Sequence, residues 1–218
     1  MTSGRPAVPS APVVRPVTWG VLRDLVVARV PVGGRRVVLV DGAPPTRPGD
    51  LADALVGPLR AAGRAAVRVR AEDFLRPASV RLEHGRHDPD AYLEDRLDVG
   101  ALVRDVLRPF AATGRYLPSL WDAVADRATR ARPVEAPPGA VLVLDGDLLL
   151  GRDLPADLTV HLAVRPATLA RRLPEEDRWV LPAFARYATE VGPEGVADVV
   201  ARVDDPAHPA LVERPSGV

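Results

Sequence analysis

The chain has 218 residues, 47% of them hydrophobic, which suits one packed domain rather than a disordered polypeptide. Its 29 basic and 29 acidic residues balance to a formal net charge of +0, so no overall basic field points to nucleic acid. There is no Cys, which excludes disulfides and thiolate metal sites, and every basic residue is Arg, so no chemical step can rest on a lysine.

The opening stretch, residues 1–16, is rich in Pro and lacks a continuous apolar segment. It is expected to be a flexible tail rather than a signal peptide. No apolar run approaches the ~20 residues of a membrane span, so the expected location is the cytoplasm. Residues 17–218 are expected to form a single domain. In "TWGVLRDLVVARV" (18–30), apolar residues fall at helical spacing with Thr18 as N-cap. "RRVVLVDG" (35–42) has the pattern of a buried strand, and residues 49–63 read as a helix ending near Gly63. "AAVRVRAEDF" supplies a second strand with Val67 and Val69 alternating.

Residues 75–96 are polar and rich in His, Pro, Asp and Arg, the mark of an irregular region. A helix is expected over 98–114, and a second polar excursion over 116–139. "AVLVLDGDLLL" (140–150) is the clearest buried strand, and "DLTVHLAV" (157–164) is another, followed by a short helix with Pro166 in its first turn. A helical stretch around 181–190 and a strand within 196–205 complete the pattern. Strands alternating with helices imply a parallel sheet covered on both faces, with its ligand crevice at the carboxyl ends of the strands. Gly42, the pair Glu72 and Asp73, and Asp145 each follow a predicted strand and should gather on that edge. His84 and His87 lie in one polar loop but lack a third ligand, so no histidine metal site is expected.

The segments "VDG" (40–42), "EDFLRP" (72–77), "GRHDPDAYLEDRLD" (85–98), "APPGAVLVLDG" (136–146), "LARRLPEED" (169–177) and "VDDPAHPALV" (203–212) carry a resemblance. In order and spacing, the chain resembles the uridine kinase family of P-loop nucleoside kinases, in its compact bacterial form, from about residue 37 to 212. The resemblance implies a three-layer α/β/α P-loop NTPase fold with a small lid at about 171–190. It also implies phosphoryl transfer from Mg-ATP to a nucleoside 5′-hydroxyl.

Laid on the phosphate-loop pattern G-x-x-x-x-G-K-[ST], Gly42 begins the loop, Arg47 stands at the second Gly, Pro48 at the Lys and Gly49 at the hydroxyl residue. Pro44, Pro45 and Pro48 have no N–H to offer a phosphate. The candidate nucleotide contacts are Gly42, Thr46, Arg47 and Gly49, with Arg171 and Arg172 at the start of the lid. The resemblance places Glu72, followed by Asp73, where the family carries its acid/base Asp, and Asp145 at the Mg²⁺-holding position. For the nucleoside side it implies Asp90 and the run Trp121, Asp122 and Asp126, with Trp121 a stacking platform.

Three functions stay open at this point. One is a nucleoside- or nucleotide-binding protein whose ATP-dependent transfer is weak or lost. The second is a working kinase in which Arg replaces the missing Lys. The third is a non-catalytic module that binds a protein partner on a kinase scaffold. Mg-ATP is the cofactor only if transfer survives, and neither nucleic acid nor membrane is an expected partner.

Overall fold

The strands form where apolar residues run together. The computed structural model describes residues 12–213. Its main sheet contains β1 (Val13–Pro16), β2 (Arg36–Gly42), β3 (Ala66–Arg70), β4 (Val141–Gly146), β5 (Leu158–Ala163), β6 (Val199–Arg202) and β7 (Ala210–Glu213). Their order across the sheet is β1-β7-β6-β5-β2-β4-β3. The five strands from β6 to β3 are parallel, while β7 and β1 extend the sheet with antiparallel pairings.

Both faces of the sheet are covered, so the central strands are apolar at successive positions instead of alternate ones. Along β2, Val38 and Val40 join one core while Val37 and Leu39 join the other. The first core lies under α1 (Trp19–Arg29) and α2 (Pro48–Ala61). Thr18 caps α1 by accepting from the Val21 N–H at 3.2 Å, as the sequence predicts. α2 starts on Pro48, whose missing N–H costs nothing at a helix start.

A short helix, α3 (Pro89–Glu94), is capped by Asp88, which accepts from the Asp90 and Ala91 amides. The second core packs against α4, a continuous run made of Val99–Ala101, a π-helical Leu102–Leu107 and Arg108–Thr113. Pro109 cannot donate to the Asp105 carbonyl four residues back, and that carbonyl accepts from the Leu117 N–H at 2.9 Å instead. Gly114, at φ 88°, ends the run in the left-handed conformation. Two further helices, α5 (Pro166–Arg172) and α6 (Leu181–Glu190), lie over β5 and β6 with apolar clusters beneath them.

The expected elements are present with small shifts of boundary, and the mostly parallel sheet between helices is the expected fold class. Several local expectations are corrected. Val13–Pro16, expected within the tail at 1–16, instead pairs as a strand with Ala210–Glu213; residues 1–11 lie outside the described residues. Pro16 is tolerated there because it closes an edge strand. The stretch 75–96 is not wholly irregular, since it contains Ala78–Arg81 and α3. The strand expected over 140–150 stops at Gly146, and Leu148–Leu150 turn into the core as separate buried side chains. Within the second polar excursion, Trp121–Asp122 pairs with Arg127–Ala128 as a small hairpin.

Leu144 of β4 is fully buried between β2 and β3. Leu144→Ala is therefore expected to lower unfolding free energy by about 2–5 kcal/mol in urea titrations. Val32→Ala, at an 89% exposed position, should stay within about 0.5 kcal/mol of the parent.

Candidate functional site

Strand register brings the predicted loop ends together. Asp41 of β2 lies opposite Gly146 of β4 on one side and His161 of β5 on the other, while Arg70 of β3 lies opposite Asp145. Gly42, Glu72 and Asp145 thus share one edge of the sheet, at the point where the parallel order reverses direction around β2.

The loop between β2 and α2 folds on itself. Pro44–Thr46 forms a single 3₁₀ turn. The Thr46 amide donates to the Ala43 carbonyl at 2.8 Å, and the Arg47 amide donates to the Pro44 carbonyl at 3.1 Å. The Thr46 hydroxyl donates to the same Ala43 carbonyl at 2.7 Å and is buried. Arg47 sits at φ 56°, in the left-handed region, and its side chain points outward to meet Asp50 at 2.7 Å. An anion nest needs consecutive amides facing one point. Here three positions are imino acids, and the Thr46 and Arg47 amides already have carbonyl partners.

Gly42 is needed for room: a Cβ there would lie 2.4 Å from the Thr46 hydroxyl. At Gly49 a Cβ would lie 2.4 Å from Nη2 of Arg68 and 3.2 Å from Oδ2 of Asp145. Arg68, from the middle of β3, reaches across this glycine. Its Nε and Nη2 donate to the two Asp145 oxygens at 2.6 and 2.8 Å, and Nη1 donates to Asp53 at 2.6 Å. The hydrogen bonds to Asp145 raise the already high pKa of the guanidinium further against the opposing effect of burial, so it stays charged.

This arrangement does not fit Mg²⁺. The Asp145 carboxylate already holds a bidentate cation, and Gly49 contributes no hydroxyl. Among the described residues no three His, Asp or Glu side chains gather as a metal-binding group.

Glu72 and Asp73 follow β3 in a 3₁₀ turn and both face Arg70. Glu72 meets it at 2.9 Å, and Asp73 accepts two hydrogen bonds from it at 2.7 and 3.0 Å. Beside Glu72 the space between Tyr92, Arg96, Asp147 and Arg152 is about 10 Å³, room for roughly one water. Tyr92 donates its hydroxyl to Asp147, Arg96 bonds the same carboxylate, and the Arg96 guanidinium lies 4.4 Å above the Tyr92 ring. Burial, followed by the Asp147 charge, raises the Tyr92 pKa, so the phenol stays protonated.

The remaining sequence-derived candidates stand elsewhere. The Trp121 indole donates to Asp126 at 3.1 Å within the small hairpin, and Asp126 also accepts from the Ala78 amide at 2.8 Å. Asp122 accepts from the Val124 and Ala125 amides and so closes the hairpin turn. Those amide bonds hold both carboxyls below the usual carboxylate range. Asp90 pairs with Arg186 of α6 in an exposed network that includes Glu94 and Glu190. Arg172 donates to the Val203 and Asp204 carbonyls, which directs it to the loop after β6, and Arg171 is exposed.

A cavity of about 260 Å³ adjoins the closed loop, lined among others by Trp19, Thr46, Arg47, Leu51, Arg172 and Pro206. Its apolar walls and flat indole suit a planar ring, with Arg47 at its margin.

A parallel sheet in this order, entered through a strand–loop–helix unit at the switch point, defines the fold of the P-loop kinases. Among solved structures the chain is similar to one described as "a Possible Uridine Kinase from Bacillus stearothermophilus", with TM-score 0.69 and 22% identity over 84% of this chain and 96% of that one. It is also similar to a "putative fructose transport system kinase from Silicibacter sp. TM1040", with TM-score 0.61 and 24% identity over 83% and 95% of the two chains. No family model and no curated protein matches it.

Sequence reasoning missed Arg68, although a signal was present: a charged residue between Val67 and Val69, inside a strand covered on both faces, requires a buried counter-charge. Asp145 is only 6% exposed. Arg68→Ala is therefore expected to cost about 3–5 kcal/mol of stability by leaving that carboxylate unpaired, and Asp145→Asn in the same chain should recover much of it. Urea titration of the single and double variants measures both effects.

Proposed function

We propose that this chain binds a nucleoside or nucleotide on a P-loop kinase scaffold, with ATP-dependent transfer to a nucleoside 5′-hydroxyl weak or lost. The observation that carries this reading is the closed 42–50 loop: the Thr46 and Arg47 amides bond the carbonyls of their own turn. Phosphoryl transfer depends on preorganised donors and cations around the moving group, and losing one such donor costs on the order of 10²–10³ in rate. Here the lysine is missing, the loop amides are engaged, and Arg68 occupies the carboxylate that would hold Mg²⁺.

Binding does not require those groups. The 260 Å³ cavity can accept a base against Trp19 and Pro206. Arg47 can exchange its exposed partner Asp50 for a single phosphate at little cost, because surface ion pairs contribute only about 0–1 kcal/mol. The residues thus favour a ligand with a ring and no more than one phosphate near Arg47.

Calorimetry with uridine, cytidine, AMP, ADP and Mg-ATP, joined to a labelled-phosphate transfer assay, tests the reading. Expected are heats for a nucleoside or monophosphate that do not grow with added phosphates or with Mg²⁺, and no transfer above background. Tight Mg-ATP binding with rapid transfer to uridine overturns the loss of catalysis. If Arg47→Ala abolishes that transfer, a working arginine-based kinase is the correct reading. Silence with every compound refutes nucleoside and nucleotide binding.

A further inference from the structure

A larger cavity, of about 650 Å³, lies between β5, α5, α6 and the turn at 192–195. Its volume falls within the roughly 300–1,000 Å³ of small-molecule sites. Leu162, Val164, Leu169, Leu181 and Phe184 supply apolar walls. The polar groups concentrate on one side, around the fully buried Asp41.

Both oxygens of Asp41 have donors. Oδ1 accepts from the Leu149 amide at 2.8 Å, and Oδ2 accepts from the Tyr187 hydroxyl at 3.0 Å. His161 Nδ1 lies 2.7 Å from the same Oδ2. The Tyr187 oxygen itself accepts from the Leu150 amide at 3.0 Å, which directs its proton to Asp41. Burial, with the Asp41 charge second, raises the Tyr187 pKa and keeps that proton in place. An acceptor facing Nδ1 requires the ring proton to be on Nδ1. In its neutral form the ring then presents Nε2 as a lone-pair acceptor.

The His161 side chain is nine-tenths buried and lines the cavity, and its Nε2 has no protein partner among the described residues. The lining includes two carboxylates, Asp41 and Glu194, and no Arg, which disfavours an anion. Glu194 pairs with Arg202 at 3.2 Å, so it does not call for a cationic ligand either.

We propose that this cavity binds a neutral, mainly apolar small molecule bearing a hydroxyl group, such as a phenol or cyclic alcohol, which donates its O–H to His161 Nε2. Asp41 and Tyr187 are positioning residues, since they hold the imidazole in the tautomer that accepts. The site borders the closed 42–50 loop at Ala43 but does not rest on the nucleotide reading.

The test uses the full chain. Phenol, p-cresol, cyclohexanol and 4-methylcyclohexanol are titrated by calorimetry, beside toluene and methylcyclohexane as matched hydrocarbons. The His161 ring nitrogens are followed by ¹⁵N NMR. At least one hydroxyl compound is expected to bind about tenfold more tightly than its hydrocarbon counterpart, and to move the Nε2 resonance. Ala188→Trp, which fills the cavity from α6 without touching the Asp41 group, should abolish the heat while leaving the melting temperature within a few degrees. The proposal is overturned if hydrocarbons bind as well as their hydroxyl partners, if no compound moves Nε2, or if a folded Ala188→Trp variant binds unchanged.

Discussion

A charged side chain inside a sheet covered on both faces must meet a counter-charge or a full set of hydrogen-bond donors there, since an unpaired buried charge costs several kcal/mol. That constraint shapes both sites of this protein. On one side of β2, Arg68 crosses from β3 to grip Asp145 with two hydrogen bonds and passes directly over Gly49. On the other, Asp41 is enclosed by an amide, a phenol and an imidazole. At this edge of the sheet both buried carboxylates are satisfied from within the chain.

The Arg68 arrangement is self-consistent in shape as well as charge. A side chain at position 49 would collide with the guanidinium, and a metal at Asp145 would face a cation already seated. The prolines of the loop act in the same direction, since they remove donors while starting a 3₁₀ turn and α2 cleanly. The same residues favour packing and helix initiation. The stability of the fold depends on the apolar strands and not on the loop.

The two cavities divide along the same line. The smaller one, beside Trp19 and Arg47, opens next to the loop and keeps a ring-sized space near one exposed guanidinium. The larger one lies under α5 and α6, beneath the region expected to act as a lid. Arg172, expected at a phosphate, fastens that region to the carbonyls after β6 instead. The segment is tied to the sheet at one end and hollow beneath.

Much of the fold was legible in the chain. Apolar runs marked β2, β4 and β5, the Thr18 cap marked α1, and residues 181–190 became α6 as expected. Strand-end positions also foretold the shared edge of Gly42, Glu72 and Asp145. The outer pair β1 and β7 was not legible, because its partners are about two hundred residues apart and its short, exposed strand reads as tail. The same holds for the sites: Arg68 meets Asp145 across 77 positions, and Asp41 meets His161 across 120. Hydrophobic period and local capping are short-range properties, so residue order alone determined the elements and the missing lysine. Only tertiary packing decided which charges met, which amides turned inward, and that Trp121, Asp122 and Asp126 would close a hairpin on one another.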